Sequence, residues 1–181
     1  MAELVLMGMA GALRAASTNR KLVREAARLF GPCRFVEADL RLPLYDGDLE
    51  TSQGVPAAVL TLARQIADAD AVVISTPEYN KGPSGVLKNA LDWVSRTEGN
   101  PWLDKPLAVM SAAAGRAGGE RAQSILRSCM VPFQPRILQG PELHVAETAR
   151  QFDEAGRLTN ERYEKTLRAL MQKLRDEIGR G

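Results

Sequence analysis

Short apolar runs alternate with segments of helical period five times along this chain, and that alternation limits its fold more than any other feature. Leu4-Val5-Leu6-Met7, Ala71-Val72-Val73-Ile74 and Leu107-Ala108-Val109-Met110 are apolar throughout, as in strands buried on both faces. Cys33 to Leu40 mixes apolar and polar residues and reads as a second strand at an edge; Phe133 to Leu138 reads as a fifth. A helix is expected from Ser17 or Thr18, both good caps, with Leu22, Val23, Ala26, Leu29 and Phe30 on its apolar face. Others are expected from Pro56 to Asp68 (Val59, Leu60, Ala63, Ile66), from Ser84 to Arg96, and from Glu120 to Met130 (Ile125, Leu126, Met130). A last one starts near Thr159, with the stripe Tyr163, Leu167, Leu170, Met171, Leu174 and Ile178. Leu42 to Asp48 reads as a loop, and Gly140 to Gly156 suggests only a short strand at Leu143-His144-Val145. The pattern calls for an α/β chain, a parallel sheet with helices on both faces. Ligands of such sheets bind at the carboxyl ends of the strands.

A length of 181 residues suits one domain, 1–181, with 45% hydrophobic and 25% charged residues. A net charge of +2 and a pI near 8.7 are too mild to argue for nucleic acid. No apolar stretch approaches a membrane span, and the first residues show no basic leader or cleavage site, so a cytoplasmic protein is expected. Cys33 and Cys129 lie far apart among apolar residues, outside any CxxC, and read as buried free thiols. His144 is the one histidine, too little for a metal site.

The loops after the first, third and fourth strands carry the chemistry. Gly8 to Asn19 is small and flexible and runs into a helix, whose free N–H groups favour an anion; Arg14, Ser17 and Asn19 add donors. It holds neither a Walker lysine nor GxGxxG. Pro77-Glu78-Tyr79-Asn80 follows the third strand, with two prolines and two glycines among Pro77 to Gly85 to hold the loop in shape. Taken alone this is an ordinary turn, and Ser111 to Gly119 alone is a flexible connector.

Taken together, Pro77-Glu78-Tyr79-Asn80, Gly85, Leu87-Lys88-Asn89-Ala90 and Asp92-Trp93 resemble the signature of the NADPH-dependent FMN reductase family, which includes quinone, azo-dye and chromate reductases. Phe152 to Leu158 also resembles the family's ending. The resemblance implies a flavodoxin-like, five-stranded parallel sheet in the order 2-1-3-4-5, which sets the carboxyl ends of the first and third strands side by side. It implies FMN as cofactor, with NADPH or NADH as electron donor. Small-molecule acceptors follow from it: quinones first, then chromate, azo compounds or free flavin, served by ping-pong kinetics. Gly11, Arg14, Ser17, Thr18 and Asn19 match the family's phosphate loop. Ala12 stands where serine is usual, a loss of roughly 0.5–1.5 kcal/mol if that bond is made. Pro77, Glu78, Tyr79 and Asn80 would meet the flavin ring, and Ser111 and Gly115 fit the loop beside it, where Ala113 departs from the family. Lys81, Gly82 and Arg116 are candidates for the NAD(P)H phosphates. No catalytic side chain is implied, because the cofactor carries the chemistry. A homodimer or homotetramer is expected, with Leu87, Leu91, Trp93 and Val94 assigned either to its interface or, as their spacing favours, to the core. Two alternatives remain open: a non-enzymatic electron carrier, against which the charge of +2 speaks, and a flavin-free binding protein.

Overall fold

The computed structural model describes residues 3–180. Its strands β1 (Val5–Ala10), β2 (Arg34–Glu37), β3 (Ala71–Thr76), β4 (Pro106–Ala112) and β5 (Arg136–Ile137) form a parallel sheet in the order β2-β1-β3-β4-β5. That is the expected doubly wound order. A sixth strand, β6 (His144–Val145), shares the outer edge of β4 with β5. Strand β5 pairs with Pro106 and Leu107, and β6 pairs with Ser111 and Ala112. The segment after β6 is thereby carried to the carboxyl end of the sheet.

Helices α1 (Thr18–Phe30) and α6 (Glu161–Ile178) cover one face. Helices α3 (Ala57–Asp68), α4 (Gly85–Val94) and α5 (Glu120–Met130) cover the other. The pleat explains the two cores, since successive side chains leave a strand on opposite faces. Leu6, Ala71, Val73, Ala108 and Met110 join the α1–α6 side, while Met7, Met9, Val72, Ile74, Leu107 and Val109 join the other. The apolar stripe expected for α1 is buried in full.

Several expectations change. Leu60 is 42% and Ile125 45% exposed, so neither belongs to its helix's buried face. Part of the loop after β2 is a helix, α2 (Gly47–Gln53), capped by Asp46, whose side chain accepts from the Asp48 N–H; it buries no residue. Cys33 and Cys129 are free but only partly buried, and burial pushes the Cys33 thiol up against the opposing pull of Arg175. Leu87, Leu91, Trp93 and Val94 are all buried in the chain's own core and leave no interface to supply. Among the described residues no helix is long and apolar enough to cross a membrane, and no cluster of His, Cys, Asp and Glu is placed to hold a metal ion.

Two residues of the helical motif have a structural role. Asn89 Nδ2 and Trp93 Nε1 both donate to the Pro43 carbonyl, at 2.9 and 2.7 Å, and the Tyr45 N–H donates to Asn89 Oδ1 at 2.8 Å. Tyr45 packs edge-on against Trp93. Together these contacts strap the segment after β2 onto α4.

Candidate active site

The loops after β1, β3 and β4 enclose one cleft of about 430 Å³, within the range of small-molecule sites. The first loop turns sharply: the Gly11 N–H donates to the Ser75 carbonyl at 2.8 Å, and the Ser17 N–H to that of Arg14 at 3.0 Å. Ser17 then caps α1, its hydroxyl accepting from the Asn19 N–H at 3.2 Å. Helix α1 therefore ends on the cleft through Ser17, Thr18 and Asn19, which all line it. Arg14 lines it too, exposed and making no side-chain hydrogen bond among the described residues.

Asn19 is the tie between the three strands' ends. Its Oδ1 accepts from the Ser75 hydroxyl at 2.7 Å and from the Ala112 N–H at 3.1 Å, and its Nδ2 donates to the Ala112 carbonyl at 2.9 Å. The side chain is 2% exposed and occupied with β3 and β4. It serves the cleft by holding the first loop in register with the other two.

The second loop is a tight hairpin. Tyr79 and Gly82 exchange two backbone hydrogen bonds at 3.0 Å, and Asn80 and Lys81 between them both have positive φ, 49° and 68°. That is the primed turn a two-residue hairpin requires. Pro77, Glu78 and Tyr79 line the cleft; Asn80, Lys81 and Gly82 form the tip and lie outside its lining. Glu78 Oε2 accepts from the Ala122 N–H at 3.3 Å, a carboxylate at the N-terminus of α5, where the helix dipole favours it. Glu78 thus ties the second loop to the helix that follows the third, a role the resemblance does not imply.

The third loop supplies a wall of small residues, Ala112, Ala113, Ala114, Gly115, Ala117, Gly118 and Gly119. Ser111 is buried beneath it and donates to the Gly118 carbonyl at 2.6 Å. Arg116 is exposed and, like Ser111 and Gly11, falls outside the lining. Gly11 instead packs closely, a Cβ there standing 3.0 Å from Ser84 Oγ and 3.1 Å from Pro77 Cδ. Leu13 and Thr148 also line the cleft, and neither was expected. Thr148 opens a short 3₁₀ turn, Thr148–Arg150, in a stretch without periodicity; only the pairing of β6 with β4 brings it there.

The donor set fits an anionic group joined to a flat, largely apolar one. A helix N-terminus and a free guanidinium lie at one part of the cleft, and a wall of alanines and glycines with Pro77 and Tyr79 makes up much of the rest. Of its lining residues only Arg14, Glu78 and Tyr79 are ionisable, and Glu78 is engaged at α5.

Comparison with known proteins agrees. Residues 5–150 match the sequence model of the NADPH-dependent FMN reductase family. An NAD(P)H-dependent FMN reductase of Pseudomonas aeruginosa is 38% identical over 174 residues, 95% of this chain and 94% of that protein. A quinone reductase of Escherichia coli K12 is 38% identical over 143 residues, 77% of this chain and 76% of the relative. The solved structure of FerB, a flavoenzyme NAD(P)H:(acceptor) oxidoreductase from Paracoccus denitrificans, superposes with a TM-score of 0.87 at 32% identity, covering 98% of each chain.

Proposed function

The chain belongs to the NADPH-dependent FMN reductase family, and on that premise we propose that it passes electrons from NAD(P)H to quinones through FMN held in the cleft between the three loops. It is a flavoenzyme of the flavodoxin-like fold with FMN as cofactor and NAD(P)H as donor. FMN, when bound, supplies the redox chemistry, and the protein supplies binding, orientation and the electrostatic surroundings.

The observation that carries this reading is the composition of the cleft: an anion-binding end with the Arg14 guanidinium, a small-residue wall, and no other unengaged ionisable group except the Tyr79 phenol. Arg14 and the N-terminus of α1 hold the phosphate, by charge and by backbone donors. Backbone donors remain there in spite of Ala12. Pro77, Tyr79 and the alanines of the third loop hold the ring. Exposed Tyr79 flanks the open side, where donor and acceptor enter in turn. Lys81 and Arg116, exposed on the second and third loops, stand ready for the donor's phosphates.

One mouth serving both substrates gives ping-pong kinetics and a broad choice of acceptor, chromate and azo compounds included. Initial rates with NADPH varied at several fixed benzoquinone concentrations are expected to give parallel double-reciprocal lines. Intersecting lines would overturn the shared mouth. An absence of NADPH consumption would favour the electron carrier, which needs a separate reductase.

A further inference from the structure

We propose that Gln123 is a positioning residue of this cleft: it fixes the third loop through Ser111 and so sets the wall that the cofactor meets. The proposal rests on the FMN reading of the cleft for its consequence, though not for its geometry. Gln123 is 2% exposed, on the first turn of α5. Its Nε2 donates to Ser111 Oγ at 2.8 Å and to the Leu143 carbonyl at 2.7 Å, and lies 3.0 Å from His144 Nδ1. Its Oε1 is buried and has no partner among the described residues.

The proton count fixes the direction of each bond. Ser111 Oγ donates its one proton to the Gly118 carbonyl, so toward Gln123 it acts as acceptor. The Leu143 carbonyl is an acceptor as well. The two Nε2 protons of Gln123 therefore go to Ser111 and Leu143, with His144 Nδ1 3.0 Å from the same amino group. Turning the amide over would set Oε1 against the Leu143 carbonyl, which has no proton to offer, and would deprive that carbonyl and Ser111 Oγ of the Nε2 donor. The amide is held in one orientation by its amino group alone.

This anchor acts where the loop is least able to hold itself. The described loop hydrogen bonds include a backbone one from the Gly118 N–H to the Gly115 carbonyl, and the Ser111 hydroxyl closes the Gly118 end. Gly118 and Gly119 both have positive φ, 61° and 94°, and press against His144 and Ser111 respectively. One buried amide thus joins the end of β4 (Ser111), the segment entering β6 (Leu143, His144) and the loop between Gly115 and Gly119. Gly118, which it secures through Ser111, lines the cleft; Gln123 and Ser111 do not, and so act through that loop.

The test uses Gln123→Met, which keeps the volume and removes both donors. Two quantities are read on apoprotein: the rate at which trypsin cuts after exposed Arg116, followed by mass spectrometry, and the FMN dissociation constant from quenching of flavin fluorescence. Cleavage is expected to quicken about tenfold and the dissociation constant to rise about tenfold, the size of one lost hydrogen bond with its partner left unpaired. Ser111→Ala breaks the same link from its other end with less disturbance of the core. It is expected to move both quantities the same way, and the double variant to be no worse than the poorer single one. A folded Gln123→Met protein with wild-type cleavage and affinity would overturn the proposal. If that variant does not fold, Ser111→Ala with both quantities unchanged would overturn it equally. Wild-type protein that takes up no FMN would overturn the cofactor reading, and cleavage at Arg116 would still decide the anchor.

Discussion

An Asn19→Leu variant is expected to lose about 3–4 kcal/mol of stability and to be purified without its flavin. Leucine is close in size to asparagine, so the loss is one of hydrogen bonds. Three groups lose their partner together: the Ser75 hydroxyl, the Ala112 N–H and the Ala112 carbonyl. All lie at the buried ends of β3 and β4. Each buried polar group left unpaired costs about 1–3 kcal/mol, and Ser75 can turn its hydroxyl to recover part of its share. Asn19 also stands in the first turn of α1, two residues after its Ser17 cap, so the anion-binding end of the cleft moves when it is released. Urea unfolding followed by circular dichroism gives the stability, and the ratio of visible to ultraviolet absorbance gives the flavin content. A variant of wild-type stability would show that the carboxamide is free to serve the phosphate directly.

Gly118→Ala is expected to be comparably severe for a different reason. A Cβ at this position would stand 2.6 Å from the His144 carbonyl carbon and 2.7 Å from its oxygen. These are backbone atoms of β6, itself paired with β4, and no side-chain rotation relieves the contact. The positive φ of 61° adds the cost of a left-handed conformation for a residue with a side chain. Strain of this kind costs about 1–3 kcal/mol per residue, and the overlap comes on top of it. Gly118 lines the cleft, so relief by moving the third loop is paid in cofactor affinity. The expected result is a stability loss of about 2–4 kcal/mol, read by urea unfolding, with FMN binding at least tenfold weaker by fluorescence titration. Gly115→Ala is the control for the stability loss alone, because a Cβ there meets no protein atom within 4 Å.

The layers of this fold were legible because burial leaves a period in the sequence. Leu22, Val23, Ala26, Leu29 and Phe30 recur at helical spacing and are all buried; the runs in β1, β3 and β4 are apolar on both faces and buried on both. Strand order was not legible from period and came from the family resemblance. Helix α2 was missed because it buries nothing, and only the Asp46 cap marks its start. Strands β5 and β6 fall inside the runs expected at Phe133 to Leu138 and at Leu143-His144-Val145, though each is only two residues long.

The cleft was legible in its parts and not in its wiring. Residue type pointed to the three loops, and Ser17, Thr18, Pro77, Tyr79 and Gly115 line the space between them. What Asn19 holds lies 56 and 93 residues away, and what Glu78 caps lies 44 residues away. No local pattern records such distances. Asn80 has a polar side chain beside the cleft residues, yet its positive φ places it at a hairpin tip. Asn89 and Trp93 carry the family signature and turn out to strap the segment at Pro43 onto α4.

Reduction of bound FMN by NAD(P)H is read from the visible spectrum of the purified protein before and after adding NADPH without oxygen. The expected result is an oxidised flavin spectrum that bleaches on NADPH and returns on adding benzoquinone. A flavin spectrum that neither NADPH nor NADH changes, or a colourless protein that FMN cannot reconstitute, would contradict it.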